Sequence, residues 1–134
     1  MSTEQNIQIA QKGYADFGRG DIASIIASLD DSIVWIVPEV PNAPGAPGGT
    51  YKGKAGATQF FQQVVSTWDF QAFEPKNYIA SGDQVAVTGS YTATAKATGR
   101  TVTADWCMVW TIKNGKVVHF QEYTDSAALG AALQ

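Results

Sequence analysis

The segment His119–Asp125, HFQEYTD, carries the chain's single histidine and two of its twelve carboxylates, which makes it the first place to look for acid/base chemistry. Residue alternation along a strand separates these groups. Val118, Phe120, Glu122 and Thr124 share one face, whereas Val117, His119, Gln121 and Tyr123 share the other. With Phe120 turned inward, Glu122 is turned inward as well. Burial among apolar side chains disfavours a charged carboxylate, so its proton would be held toward neutral pH, where a general acid or base works best. The alternative is a structural carboxylate hydrogen-bonded to a tyrosine or to the backbone. His119 is expected on the outer face or at an interface, and Asp125, heading Asp-Ser-Ala-Ala-Leu, as a helix N-cap.

The neighbouring strands supply the wall that would surround Glu122. In RTVTADWCMVWTI the core face holds Val102, Ala104, Trp106, Met108, Trp110 and Ile112. In QVAVTGSYTATAKA it holds Val85, Val87, Gly89, Tyr91 and Ala93, and the outer face is rich in threonine. The expected catalytic pair is Glu122 and Tyr91, and the expected ligand contacts are Tyr14, Trp35, Trp106, Met108, Trp110 and Phe120. Tyr14 and Tyr91 read either as donors to a ligand oxygen or as amphipathic core fillers. Trp35 is ambiguous, because a bulge in its strand would swap its face. Cys107 falls on the outer face of a central strand, where it reads as unreactive. One histidine and one cysteine offer no zinc set, so no metal is expected, and no glycine-rich phosphate cradle is present.

The positioning elements follow from pattern. Ser2 and Gln5 form a capping-box signature ahead of Ile7, Ala10, Tyr14 and Phe17 at helical spacing. Asp21 caps a short second helix, and the strand SIVWIVP follows. Residues 38–53 hold four of the five prolines together with a cluster of glycines, which predicts a long loop, either a flap over a pocket or a surface insertion. Ala57, Phe60, Phe61, Val64, Val65 and Trp68 predict one apolar face of a third helix. Four strands joined by SGD, TG and NG turns come next, then a short final helix. The expected order is α-α-β-α-β-β-β-β-α, with the helices enclosing a pocket against one face of the sheet. The other face carries Thr88, Ser90, Thr92, Val109, Val117, His119 and Tyr123. So few charges there predict a homodimer through the outer sheet face.

A chain of 134 residues, 45% hydrophobic and 16% charged, predicts one globular domain spanning 1–134. No apolar run is long enough for a membrane span, and the N-terminal residues do not read as a secretory signal. A single cysteine suits a reducing compartment, so a cytoplasmic location is expected. The net charge of −3 with scattered lysines and arginines lacks the basic stripe of a nucleic-acid binder.

The segments YADFGRGD, LDDSIVWIVP, GGTYKGKAGATQFF, SGDQVAVTG and NGKVVHFQEYTDSAAL together resemble the SnoaL-like branch of the nuclear-transport-factor-two-like superfamily. That superfamily includes ketosteroid isomerase, limonene epoxide hydrolase, scytalone dehydratase and polyketide cyclases. The resemblance implies an α+β fold: a cone-shaped α+β barrel whose strongly curved, mixed, mainly antiparallel sheet holds three helices on its concave face around a pocket, with a short C-terminal helix. The acids of the isomerase fall at Ile36 or Val37 and at Met108. The Arg-x-Asp pair of the epoxide hydrolase falls at Gly89 and Tyr91, and its first-strand helpers at Val34 and Ile36. Glu122 alone matches, standing for the hydrolase's final-strand carboxylate and for the acid/base carboxylate of the cyclases. The implied function is cofactor-free acid/base chemistry on a small hydrophobic carbonyl or polyketide-like molecule. The alternative is a module that binds a hydrophobic ligand or a partner without chemistry.

Overall fold

Capping and turn chemistry divide the chain where the sequence predicts. The computed structural model describes residues 2–134. The Ser2 hydroxyl accepts the Gln5 N–H at 3.1 Å, and the Gln5 side chain accepts the Ser2 N–H at 3.0 Å, closing the capping box of α1 (Thr3–Gly18). Asp21 caps α2 (Ile22–Ala27) through the Ser24 N–H. The strands are β1 (Leu29–Val37), β2 (Gly49–Lys52), β3 (Trp68–Ser81), β4 (Gln84–Ala95), β5 (Thr101–Lys113) and β6 (Lys116–Thr124). The remaining helices are α3 (Gly53–Thr67) and α4 (Ser126–Ala132). Asp125 caps α4, accepting the Ala128 N–H at 3.0 Å.

The strands form one six-stranded sheet in the order β2-β1-β6-β5-β4-β3. The β1–β6 pair is parallel and the others antiparallel, so the sheet is mixed and mainly antiparallel. It bends without closing, leaving β2 and β3 as its edges. Register shifts in β3 at Phe70/Ala72 and Pro75/Asn77 contribute to the bend. Across from the second shift, Gly89 lets Trp106 lie flat on β4. A Cβ there would sit 2.3 Å from the Glu74 carbonyl and 2.5 Å from Trp106 Cζ2. α1 packs on β3 and β4, α2 on β1 and α3, and α3 on β1 and β2.

Four sequence expectations are corrected. Residues 38–53 are not loop throughout: beyond Pro47, the stretch Gly-Thr-Tyr-Lys forms β2 and pairs with β1, Trp35 opposite Tyr51. Without it, β1 would present a bare row of backbone groups, and Gly49 turns the chain into register at φ +107°. Val117, expected outside, is fully buried, because Thr111 pairs with His119 and Ile112 with Val117, leaving Val118 as the extra residue of a bulge. Val65 is 55% exposed, lying roughly 80° from Ala57 around α3, at the rim of the apolar stripe. Trp68 is buried but begins β3 instead of ending the helix.

A candidate active-site cavity

Between the helices and the sheet lies a cavity of about 100 Å³, walled almost wholly by aromatic and aliphatic side chains. Phe17 and Tyr14 reach it from α1, Phe60 and Phe61 from α3, and Trp35, Trp110 and Phe120 from the sheet. These positions follow from element period, one inward stripe for each helix and alternate residues for each strand. Val40 and Pro47 from the 38–48 loop and Leu129 from α4 complete the wall. The base of the loop is tethered: the Tyr51 hydroxyl donates to the Gln63 side chain and accepts the Gly48 N–H at 2.9 Å.

Polar chemistry collects at one end. Glu122 is half-buried and lines the cavity, and the Tyr91 hydroxyl donates to its Oε2 at 2.8 Å. Tyr91 also lies 3.3 Å from Thr124 Oγ1, and the Thr124 hydroxyl donates to the Asp105 carbonyl at 2.8 Å. Surrounding protein excludes water from the carboxyl and pushes its pKa up to about 7, partly offset by the Tyr91 hydrogen bond, which favours the ionised form. Burial also raises the Tyr91 phenol well above its ordinary value, and the Glu122 charge adds to the effect. Tyr91 therefore acts as a donor, not as an acid that ionises.

Of the sequence-selected residues, Glu122, Tyr91, Tyr14, Trp35, Met108, Trp110 and Phe120 all line the cavity. Trp35 faces inward, 3% exposed, stacked on Phe120 with centroids 3.8 Å apart. The irregularity in β1 falls before Val34, so it does not swap the face of Trp35. Trp106 does not line the cavity. It is buried beneath it, stacked on Tyr14 at 5.6 Å and lying over Gly89. The Tyr14 hydroxyl is engaged within the wall, accepting the Trp110 Nε1–H at 2.9 Å and donating to Met108 Sδ at 3.3 Å. His119 is half-buried opposite Thr111, away from the Glu122 cluster, and Asp125 is spent on its cap. Sequence reading left out Thr124, although it sits two residues beyond Glu122 on the same face. Of the two readings of the proline-rich segment, the flap over a pocket is the one that agrees with Val40 and Pro47 lining the cavity.

The model of the SnoaL-like domain matches residues 10–120. No curated protein is similar enough to match. Among solved structures, an NTF2-like protein from Burkholderia xenovorans LB400 is 34% identical, with a TM-score of 0.88 over 100% of this chain and 99% of that one. TerC, co-crystallised with polyporic acid, is 27% identical, with a TM-score of 0.82 over 96% and 98%. A candidate SnoaL-like polyketide cyclase from Mesorhizobium loti is 26% identical, with a TM-score of 0.70 over 87% and 97%. Matched along most of its length in both sequence and backbone, the chain belongs to the SnoaL-like domain family of the NTF2-like superfamily.

Proposed function

We propose that the chain is a cofactor-free acid/base enzyme of the isomerase or cyclase type, acting on a small hydrophobic carbonyl or polyketide-like compound. The observation that carries this reading is a desolvated Glu122 held by Tyr91 at the polar end of an aromatic cavity. Near pH 7 such a carboxylate is present in both protonation states, so it can take a proton from a carbon beside a carbonyl and return it to the substrate. Tyr91 holds the carboxylate in place by donating to its Oε2. The names of two relatives support the class: TerC was co-crystallised with polyporic acid, and the M. loti protein is named as a candidate polyketide cyclase.

Size narrows the substrate. A sealed cavity of roughly 150 Å³ holds benzene, and pockets for larger ligands run to roughly 300–1,000 Å³. At about 100 Å³, this cavity suits a single ring bearing a carbonyl better than a fused polyketide. A second reading, binding without chemistry, is favoured by one observation: among the described residues lining the cavity, Glu122 is the sole carboxylate, with no charged partner beside it. Further parts of the proposal are a single domain over 1–134, a cytoplasmic location and a homodimer through the outer sheet face. What supports the dimer is a face of Thr88, Ser90, Thr92, Val109 and Tyr123. For the membrane, among the described residues no helix is long and apolar enough to cross one.

Incubating the protein in D₂O with single-ring aryl ketones and following deuterium uptake beside the carbonyl by NMR separates the two readings. Faster uptake with the native chain, reduced at least about 100-fold in Glu122→Gln, is expected for the enzyme. Ketones that shift the Trp35 and Trp110 signals without faster uptake would favour the binding module.

A further inference from the structure

The hydrogen-bond arithmetic around Tyr91 assigns a task to a residue outside the catalytic pair. A tyrosine hydroxyl has one hydrogen to donate, yet two acceptors stand within reach, Glu122 Oε2 at 2.8 Å and Thr124 Oγ1 at 3.3 Å. The hydrogen of Thr124 is committed to the Asp105 carbonyl at 2.8 Å, so toward Tyr91 its oxygen can only accept. Asp105 and Thr124 lie on the adjacent strands β5 and β6, which fixes that acceptor beside the phenol. Tyr91 therefore has two alternative destinations for one hydrogen, and the proton on Glu122 decides between them.

With Glu122 ionised, Tyr91 donates to the carboxylate, the stronger, charge-assisted bond. With Glu122 protonated, its own O–H needs an acceptor. The phenol oxygen accepts it while the phenol hydrogen turns to Thr124, giving the chain Glu122 → Tyr91 → Thr124 → Asp105 carbonyl. No proton leaves Tyr91 or Thr124, and the only rearrangement is rotation of hydroxyls. The geometry points to Thr124 as a positioning residue that stabilises the neutral form of Glu122 by receiving the Tyr91 hydrogen, and so sets the carboxyl's proton affinity. The other ionisable group facing this cluster is the Tyr14 phenol from α1, whose hydrogen is directed at Met108. The consequence for turnover rests on the acid/base reading of Glu122, but the hydrogen-bond switch itself does not.

The test is a titration of the Glu122 carboxyl by ¹³C NMR in the ligand-free protein, which requires no substrate. Loss of a neutral hydrogen bond from the protonated state is expected to lower the pKa in Thr124→Val by roughly half to one unit, a three- to tenfold loss of proton affinity. Thr124→Ser keeps the acceptor and is expected to titrate as the native chain. Tyr91→Phe removes the donor to the carboxylate and is expected to raise the pKa. The decisive arm is Thr124→Val placed on Tyr91→Phe: with no phenol hydrogen to receive, it should cause no further drop. An equal drop in both backgrounds would mean that the substitution merely lets water in, and would overturn the proposal. An unshifted Thr124→Val, or a Thr124→Ser that behaves like it, would do the same. Thr124→Ala, which also lacks the oxygen, serves in the same two-background comparison should the valine variant not fold. A switch that passes while ketone exchange is absent would sink the enzymatic reading alone.

Discussion

Glu122 is a carboxyl whose proton is held more tightly in the folded chain than in the unfolded one, and that difference couples stability to pH. Its folded pKa of about 7 lies above the ordinary glutamate value. Between the two values the folded chain binds the extra proton, so its contribution is most favourable below the unfolded pKa and is lost as pH rises to about 7. The whole difference is on the order of 3 kcal/mol. Glu122→Gln, neutral at every pH, should therefore gain on the native chain from pH 5 to pH 8 in urea denaturation, by up to about 3 kcal/mol. Equal slopes of stability against pH in the two proteins would contradict a desolvated carboxyl. At this scale alternation alone placed Glu122 inward and His119 outward, because a β6 continuing past Phe120 leaves a side chain two choices. The role of Thr124 was not legible, since counting donors requires distances between β4, β5 and β6.

At the scale of elements, the sheet depends on close approaches that a sequence marks only as a glycine. Gly89 lies in β4 opposite Trp106, with the Glu74 carbonyl on its other side. A methyl group there meets backbone and a rigid ring together, so neither can simply swing away. Gly89→Ala is expected to cost about 3 kcal/mol, read as a lower urea midpoint with an unchanged slope. An unaffected midpoint would mean that β3 and Trp106 give way more easily than their packing implies. The caps at Ser2, Asp21 and Asp125 were legible because each is a contact within four residues along the chain. The bulge at Val118 was not legible, and it moved Val117 from the outer face to the core. Nothing local in Lys-Val-Val-His announces it, since the extra residue is set by how β5 pairs with β6.

At the scale of the whole molecule, the outer face of the sheet bears on assembly. The outer sheet face keeps its threonines, and Tyr123 there is 53% exposed. Light scattering at micromolar concentration should give twice the chain mass, and Tyr123→Glu combined with Val109→Lys should reduce it to one. A native chain of single mass would remove the dimer. The amino-acid pattern by itself determined the types of nine of the ten elements, most of the inward stripes, the three caps and the class of fold, because these depend on periodicity and short-range hydrogen bonds. Tertiary structure alone decided that β2 would cover the edge of β1, that Trp106 would lie beneath the cavity and not in its wall, and that one phenol hydrogen would have two acceptors. Those outcomes turn on register and on distances of a few ångströms between residues far apart in the chain, which periodicity does not encode.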